Sequence, residues 1–303
     1  MTSAADFYAH EKWTVGVIGL GYVGLPLCIT AADAGLDVIG FDVDASYVAR
    51  LESADSPIED VTDEQLSSAL AAGMTVTFDE DDLRAADAIL ICVPSPLGRN
   101  REPDLSYIRS AADTVRRVAH SNLLVSLEST TYPGTTEDII VPAVTQAGLT
   151  LDDDVWVAFS PERVSPGDDL KTVDIPKVVG GVSAESTAVA AAAYSRFVSS
   201  IHPVESAAAA EMAKLLENTY RAVNIGLANE MSQLADALGI DIWEVIDAAA
   251  TKPFGFQAFY PGPGVGGHCI PLDPQYLVYK ARLSGYEPRL VALADHINQE
   301  INY

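Results

Sequence analysis

Lysine is scarce in this chain. Six lysines stand among 303 residues, and Lys and Arg together number 18 against 43 Asp and Glu. The resulting net charge of −25 argues against a nucleic-acid partner, which requires a basic face. Cysteine is nearly absent as well. Cys28, Cys92 and Cys269 are far apart and odd in number, which excludes a disulfide framework and any zinc-ligand spacing. No apolar run approaches the roughly 18 residues of a membrane span. The opening "MTSAADFYAHEKW" lacks the basic and apolar pattern of a secretory signal. The expectation is a soluble cytoplasmic protein with no membrane partner and no metal. Its acidic residues are dispersed rather than gathered in a tail, a surface suited to high salt, so a halophilic source is expected.

What is present divides in two. "WTVGVIGL", "DVIGFDVD", "MTVTFD", "ADAILICVPSP", "NLLVSLEST" and "DVWVAFSPE" are short, apolar and β-branched, and read as buried strands. Helical patterns lie between several of them, which predicts an α/β fold with a doubly wound, mostly parallel sheet. "KVVGGVS" reads as its last strand. From residue 206 to 238 the pattern is almost unbroken helix, and "DIWEVIDAAA", "PQYLVYKARLSG" and "RLVALADHINQEINY" are helical too. The predicted division is a Rossmann-type domain over 1–200 and an all-helical domain over 201–303.

Gly19, Gly21 and Gly24 spell G-x-G-x-x-G between a strand and a helix, with Tyr22 and Val23 inside the turn. The first glycine suits a tight turn, the second a close backbone approach to a pyrophosphate, and the third close helix–strand packing. Such a turn also occurs without a ligand. Here Asp42 ends the second strand, where a carboxylate accepts hydrogen bonds from an adenosine ribose, which favours NAD. Asp44 competes for that role, and Asp42 is preferred because it comes first. Val93, Pro94 and Ser95 end another strand and are expected to flank the cofactor, while Cys92 reads as a packed core thiol.

Cys269 closes the loop "PGPGVGGHCIPLDP", whose Gly262, Gly264, Gly266 and Gly267 permit backbone to approach a ligand. A thiol there is either a half-buried bystander or a nucleophile. Lys214, Asn218 and Arg221 share one stripe of the long helix, which is either its solvated face or a cationic wall of a substrate site. Glu128, Ser129, Thr130, Glu162 and Arg163 stand where strands hand over to loops, as ordinary residues also do.

Together "GLGYVGLPL", "CVPSP", "ESTTYPGTTE", "SPERVSPG", "EMAKLLENTYRAVNIGLANE" and "PGPGVGGHCIPLDP" resemble the UDP-glucose/GDP-mannose dehydrogenase family, in order and over essentially the whole chain. The similarity is greatest to its UDP-N-acetylhexosamine 6-dehydrogenases. The resemblance implies a four-electron oxidation of a UDP-sugar C6 alcohol to a uronic acid, with NAD as cofactor. It implies that Cys269 is the nucleophile, Lys214 the acid/base at the oxyanion and Asn218 its helper. Thr130, also expected near the cofactor, would position the hydrolytic water, and Glu162 and Asp273 would be carboxylates beside it. Arg163, Val164 and Arg221 fall where substrate contacts lie, joined by Lys214, Asn218, Tyr260, Gly264 and Gly266. His268 is expected to stabilise the loop or touch substrate. A homodimer built through the 206–238 helix is also implied.

Three departures accompany the resemblance. "TKPFGFQAFYPG" is similar to the N-acetylglucosamine branch and "SPERV" to the mannosamine branch, which leaves the C2 epimer open. Pro166 stands where UDP-glucose members carry a second glutamate, which disfavours glucose. Family members continue into a third, UDP-binding domain, which is expected to be absent here. Three alternatives stay open: a truncated NAD-binding and dimerisation module without turnover, UDP-glucose as the substrate, and a two-electron dehydrogenase of the 6-phosphogluconate or 3-hydroxyacid type.

Overall fold

The structure is a computed structural model that describes residues 3–163, 175–266 and 269–301, with the side chain of Cys269 outside the description. Val164, Pro166, Gly267 and His268 also lie outside the described residues. The chain forms two units. The first comprises Met1–Pro96 and Asp104–Met212, and the second Leu97–Pro103 and Ala213–Tyr303.

In the first unit, eight strands among the described residues form one sheet. They are β1 (Thr14–Ile18), β2 (Asp37–Phe41), β3 (Met74–Thr77), β4 (Ala88–Ile91), β5 (Leu123–Leu127), β6 (Val155–Phe159), β7 (Lys177–Gly181) and β8 (Ile201–Val204). Their spatial order is β3-β2-β1-β4-β5-β6-β7-β8. The run is parallel except where β7 meets β6, antiparallel, with Ala158 opposite Gly181 and Phe159 opposite Gly180. Strands β4, β5 and β6 are buried at every position, as helices on both faces of a parallel sheet require. The order in which strands are added reverses between β1 and β4, the switch point at which such sheets bind ligands.

The sequence reading ended the sheet at "KVVGGVS". Strand β8 follows it and pairs parallel to β7. Its half-buried "IHPV" carries Pro203 and no alternation, and proline is tolerated on an edge strand, so periodicity gave no signal. The first helix, α1 (Ala4–His10), was also not anticipated. Ser3 caps it, accepting from the Asp6 amide. Tyr8 then anchors it: its hydroxyl donates to the Asp87 carbonyl at 2.5 Å and accepts from the Leu124 amide at 3.1 Å. Tyr8, Trp13, Tyr194 and Phe197 stack edge to face or tilted under that end of the sheet.

The remaining helices of the first unit include α2 (Gly24–Asp33), α3 (Ala45–Glu52), α4 (Asp63–Ala71), α5 (Ser106–Val118), α6 (Val141–Gln146) and α7 (Ala184–Tyr194). The 32-residue α8 (Ala207–Leu238) contains the boundary between the units. The second unit adds α9 (Ile242–Ala250), α10 (Cys269–Leu283) and α11 (Arg289–Glu300). Helix α10 begins earlier than the expected start at Pro274. That proline lies inside the helix, and Cys269 is its first residue rather than the end of a loop. Two buried asparagines tie this unit together. Asn229 of α8 donates to Asn298 of α11 at 3.0 Å, and Asn298 donates to the Ala222 carbonyl at 2.9 Å.

Candidate active site

The glycine turn after β1 has one role per glycine. Gly19 has φ +92°, and a side chain there would meet the Cys92 carbonyl oxygen at 2.9 Å. At Gly24 a Cβ would stand 1.8 Å from the Gly19 carbonyl oxygen, so helix α2 is pressed on the strand end. Gly21 differs, because a Cβ there would meet nothing within 4 Å. It faces open space at a helix N-terminus, the cradle a pyrophosphate needs. Tyr22 is exposed beside it, and Val23 precedes α2.

Asp42 follows β2 and accepts from the amides of Leu20 and Asp44, each at 3.1 Å. Its carboxylate thereby ties the ends of β1 and β2 together. Asp44 is engaged elsewhere: it caps α3, accepting from the amides of Ser46 and Tyr47 and from the Ser46 hydroxyl. The Ser46 hydroxyl, then the two amides, hold the Asp44 carboxyl below its ordinary value. Val93, Pro94 and Ser95 follow β4, and the Ser129 hydroxyl donates to the Val93 carbonyl at 2.7 Å. That bond joins the cofactor-side loop to the segment bearing the half-buried Thr130. Burial, then the Glu128 charge, pushes the Cys92 thiol well above its ordinary value, which suits a core thiol.

Glu162 follows β6. Its carboxylate accepts from the Arg163 amide at 2.7 Å, and the Arg163 guanidinium donates to the Pro176 carbonyl at 2.8 Å. The sequence reading missed a buried group beside it. Lys177, the first residue of β7, is 4% exposed and contacts Glu128 at 2.5 Å and Glu162 at 3.7 Å. The Tyr194 hydroxyl donates to Glu128 and also bonds Ser126. A lysine in an apolar strand gives no warning of two carboxylates, and only the antiparallel register brings them together.

Glu211 was missed too. It is 1% exposed and accepts from the amides of Gly134 (2.6 Å) and Thr136 (2.9 Å) and from the Thr136 hydroxyl (2.7 Å). It thus holds the start of the π-helical turn Thr136–Ile140 that follows Thr130. Burial pushes its carboxyl up to about 7, against the pull of these donors.

In the second unit, Asn218 of α8 donates to Asp273 of α10 at 2.5 Å. Asp273 is 3% exposed. Burial raises its carboxyl above the ordinary range, opposed by the Lys214 charge and the Asn218 amide. Lys214, Asn218 and Asp273 therefore form one cluster, and Asp273 stands one helical turn after Cys269. A half-buried cation, an amide donor and a buried carboxylate beside a thiol position can stabilise an oxyanion and move a proton. Arg221, one turn further along α8, is exposed.

The glycine loop is fixed at its start, where the Gly262 amide donates to Asn229 at 3.1 Å. Gly264 has φ +111°, and Gly266 faces open space. Tyr260 bonds Asp247 through its hydroxyl at 2.8 Å and stacks on Trp243.

Residues 13–198 match the UDP-glucose/GDP-mannose dehydrogenase family, NAD binding domain, and residues 208–300 match the central domain of the same family. The chain belongs to this family. Its N-terminal domain takes NAD, and the geometry of Gly19, Gly21, Gly24 and Asp42 fits that cofactor. The chain is 40% identical over 290 residues to protein CapL of Staphylococcus aureus, covering 95% of this chain and 67% of that protein. Identity is 39% to the UDP-N-acetyl-D-mannosamine dehydrogenase of Pyrococcus horikoshii, covering 95% of this chain and 68% of the relative. The solved structure of a UDP-D-ManNAc dehydrogenase from that organism superposes with a TM-score of 0.88, 38% identity and the same coverage. The UDP-N-acetyl-D-glucosamine 6-dehydrogenase of Pseudomonas aeruginosa is 36% identical, covering 94% of this chain and 67% of the relative. The family member described here is an NAD-dependent nucleotide-sugar dehydrogenase. Among the described residues, no helix is long and apolar enough to cross a membrane.

Proposed function

We propose that this dehydrogenase oxidises the C6 alcohol of a UDP-N-acetylhexosamine, UDP-N-acetylmannosamine first and UDP-N-acetylglucosamine second, to the uronate. The observation that carries the reading is the Lys214–Asn218–Asp273 cluster one turn from Cys269. The backbone supports a reactive thiol as well, because a helix N-terminus favours the thiolate.

The alcohol loses a hydride from carbon and a proton from oxygen, giving the aldehyde. The Cys269 sulfur adds to the aldehyde carbon, and the oxyanion takes a proton to give a thiohemiacetal. Loss of a second hydride and of that proton leaves a thioester. Water then attacks the thioester carbon, the carbon–sulfur bond breaks, and acid and thiol are released. NAD⁺ is the acceptor of both hydrides. Lys214 is the acid/base that takes up and returns the proton at the oxyanion, Asn218 is its hydrogen-bonding helper, and Asp273 is a carboxylate beside the hydrolytic water. Thr130 and Glu162 serve the hydrolytic water, and Arg163, Val164, Arg221, Tyr260, Gly264 and Gly266 serve substrate binding. A covalent hold on the aldehyde is what a double oxidation requires.

The test is NADH formation at 340 nm by the purified chain, given each UDP-N-acetylhexosamine and UDP-glucose in separate assays. Turnover with an N-acetylhexosamine supports the reading. NAD binding with no turnover on any sugar favours an NAD-binding module instead.

The second unit also supports a homodimer. A cavity of about 730 Å³ lies along the C-terminal half of α8, α9 and the 255–259 segment, lined by Leu227, Met231, Leu234, Leu238, Val245 and Phe256 among others. All six are exposed. A face this apolar on so acidic a chain suits a second copy of the same helix. The dispersed acidic surface supports a cytoplasmic protein of a high-salt cell, a reading contradicted by equal stability in dilute buffer and in multimolar salt.

A further inference from the structure

The one antiparallel pairing described in the sheet has a chemical consequence. A parallel strand presents its C-terminal end to the ligand crevice, whereas β7 presents its first residue, Lys177. Extending the register of Ala158 with Gly181 and Phe159 with Gly180 by three residues sets Lys177 opposite Glu162. The strand reversal therefore delivers an ammonium to a carboxylate at the sheet end where Thr130 also lies.

That ammonium is held from behind. Glu128, at the end of β5, contacts it at 2.5 Å and is itself held by the Tyr194 hydroxyl. The Tyr194 ring centroid is 5.3 Å from Nζ. Burial works against charge on Lys177, and the Glu128 and Glu162 carboxylates outweigh it, so the ammonium stays protonated. Both Lys177 and Glu128 are almost fully buried, whereas the Glu162 side chain is 15% exposed. A buried ion pair contributes little to stability that apolar side chains of similar size do not. Stability alone therefore does not account for placing this pair at the crevice end of the sheet.

We propose that Lys177 is a positioning residue for Glu162, anchored by Glu128 and Tyr194, and that its charge holds the Glu162 carboxylate ready to activate the water that hydrolyses the thioester. The separation of 3.7 Å is that of an ion pair, so the influence is exerted through charge. Among the described residues, the charged and titratable groups around this ammonium include Glu128 after β5, Glu162 after β6, Cys92 after β4 and Tyr194 of α7, with Arg163 next to Glu162. The inference rests on the proposed role of Glu162.

The test uses the double variant E128Q/K177M, which removes the two almost fully buried charges together, alongside K177R, which keeps the cation. With sugar nucleotide and NAD⁺, the double variant is expected to release NADH in a first-turnover burst and then stall. Steady-state turnover falls roughly 100-fold, and a sugar adduct on Cys269 accumulates in the mass spectrum. K177R is expected to recover part of the steady-state rate. A merely structural role lowers stability without separating the burst from the later rate. A folded double variant with wild-type steady-state turnover overturns the proposal.

A second readout does not depend on activity. The side-chain ¹³C signal of Glu162, titrated with pH, is expected to move its midpoint upward in E128Q/K177M. In E128Q alone the ammonium keeps Glu162 and loses Glu128, so the midpoint moves downward. E128Q also serves if the double variant does not fold. An unchanged midpoint in the folded variants overturns the proposal. A wild-type chain that makes no NADH while these shifts appear counts against the activity and leaves the Lys177–Glu162 coupling supported.

Discussion

The Asn218 amide donates a 2.5 Å hydrogen bond to the Asp273 carboxylate, joining α8 to α10 one turn after Cys269. Burial of Asp273 costs the folded chain something: desolvation raises its carboxyl, and the Lys214 charge and this Asn218 bond offset only part of it. A carboxyl raised in the folded state loses stability as pH climbs above its unfolded value. Asp273→Asn keeps an oxygen for Asn218 and does not ionise. Relative to wild type, its stability is expected to improve as pH rises above the unfolded carboxyl value in urea titrations. Its turnover is expected to fall by roughly 100-fold. A variant both less stable at pH 7 and fully active contradicts the assignment.

Two glycines of one turn are expected to respond differently. Gly24→Ala forces a Cβ to 1.8 Å from the Gly19 carbonyl oxygen, so backbone must shift. A loss of about 1–3 kcal/mol in stability is expected, with NAD affinity lost alongside. Gly21→Ala meets no protein atom within 4 Å, so its melting temperature should stay near wild type while NAD binding weakens at least tenfold. Thermal unfolding and calorimetric titration with NAD separate the two cases.

Glu211 gives a pH signature. Its carboxyl stands at about 7 in the folded chain against 4.5 as reference. Below about pH 4.5 both states hold the proton. Between 4.5 and 7 the unfolded chain releases it first, so the folded state loses stability as pH rises, by about 3 kcal/mol in all. Glu211→Gln removes this slope and adds a constant cost, since its amide nitrogen meets the Gly134 or Thr136 donors. The stability difference between wild type and variant, measured by urea unfolding from pH 4 to 8, should change only within that window. A difference independent of pH contradicts it.

Much of this was legible in the sequence, because local pattern and site coincide. The glycine turn, Asp42 and the strands around them follow from short-range rules, and the long helix follows from its periodicity. Order along the chain alone favoured Asp42 over Asp44, and the capping bonds of Asp44 to Ser46 and Tyr47 add a physical reason that the residue pattern did not carry. The Glu128–Lys177–Glu162 group was illegible, since it depends on strand direction, which no residue pattern encodes. Glu211 was hidden within an alanine-rich helix start, where its partners lie some 75 residues away. Strand β8 carried too few apolar residues to announce itself.

The apolar face of α8 is expected to be an interface between copies. Leu234→Glu places a charge in a lining residue that is 49% exposed, so monomer folding should survive. Sedimentation equilibrium is expected to show wild-type dimers and a monomeric variant. A monomeric wild type contradicts the dimer.

The central claim is that one thiol carries both oxidations, and the most direct measurement is product stoichiometry. Purified protein is given a limiting amount of its UDP-N-acetylhexosamine with excess NAD⁺ in high salt, and NADH and uronate are counted for wild type and Cys269→Ala. The account expects about two NADH per uronate from wild type and no uronate from the variant. Undiminished uronate formation by Cys269→Ala contradicts it.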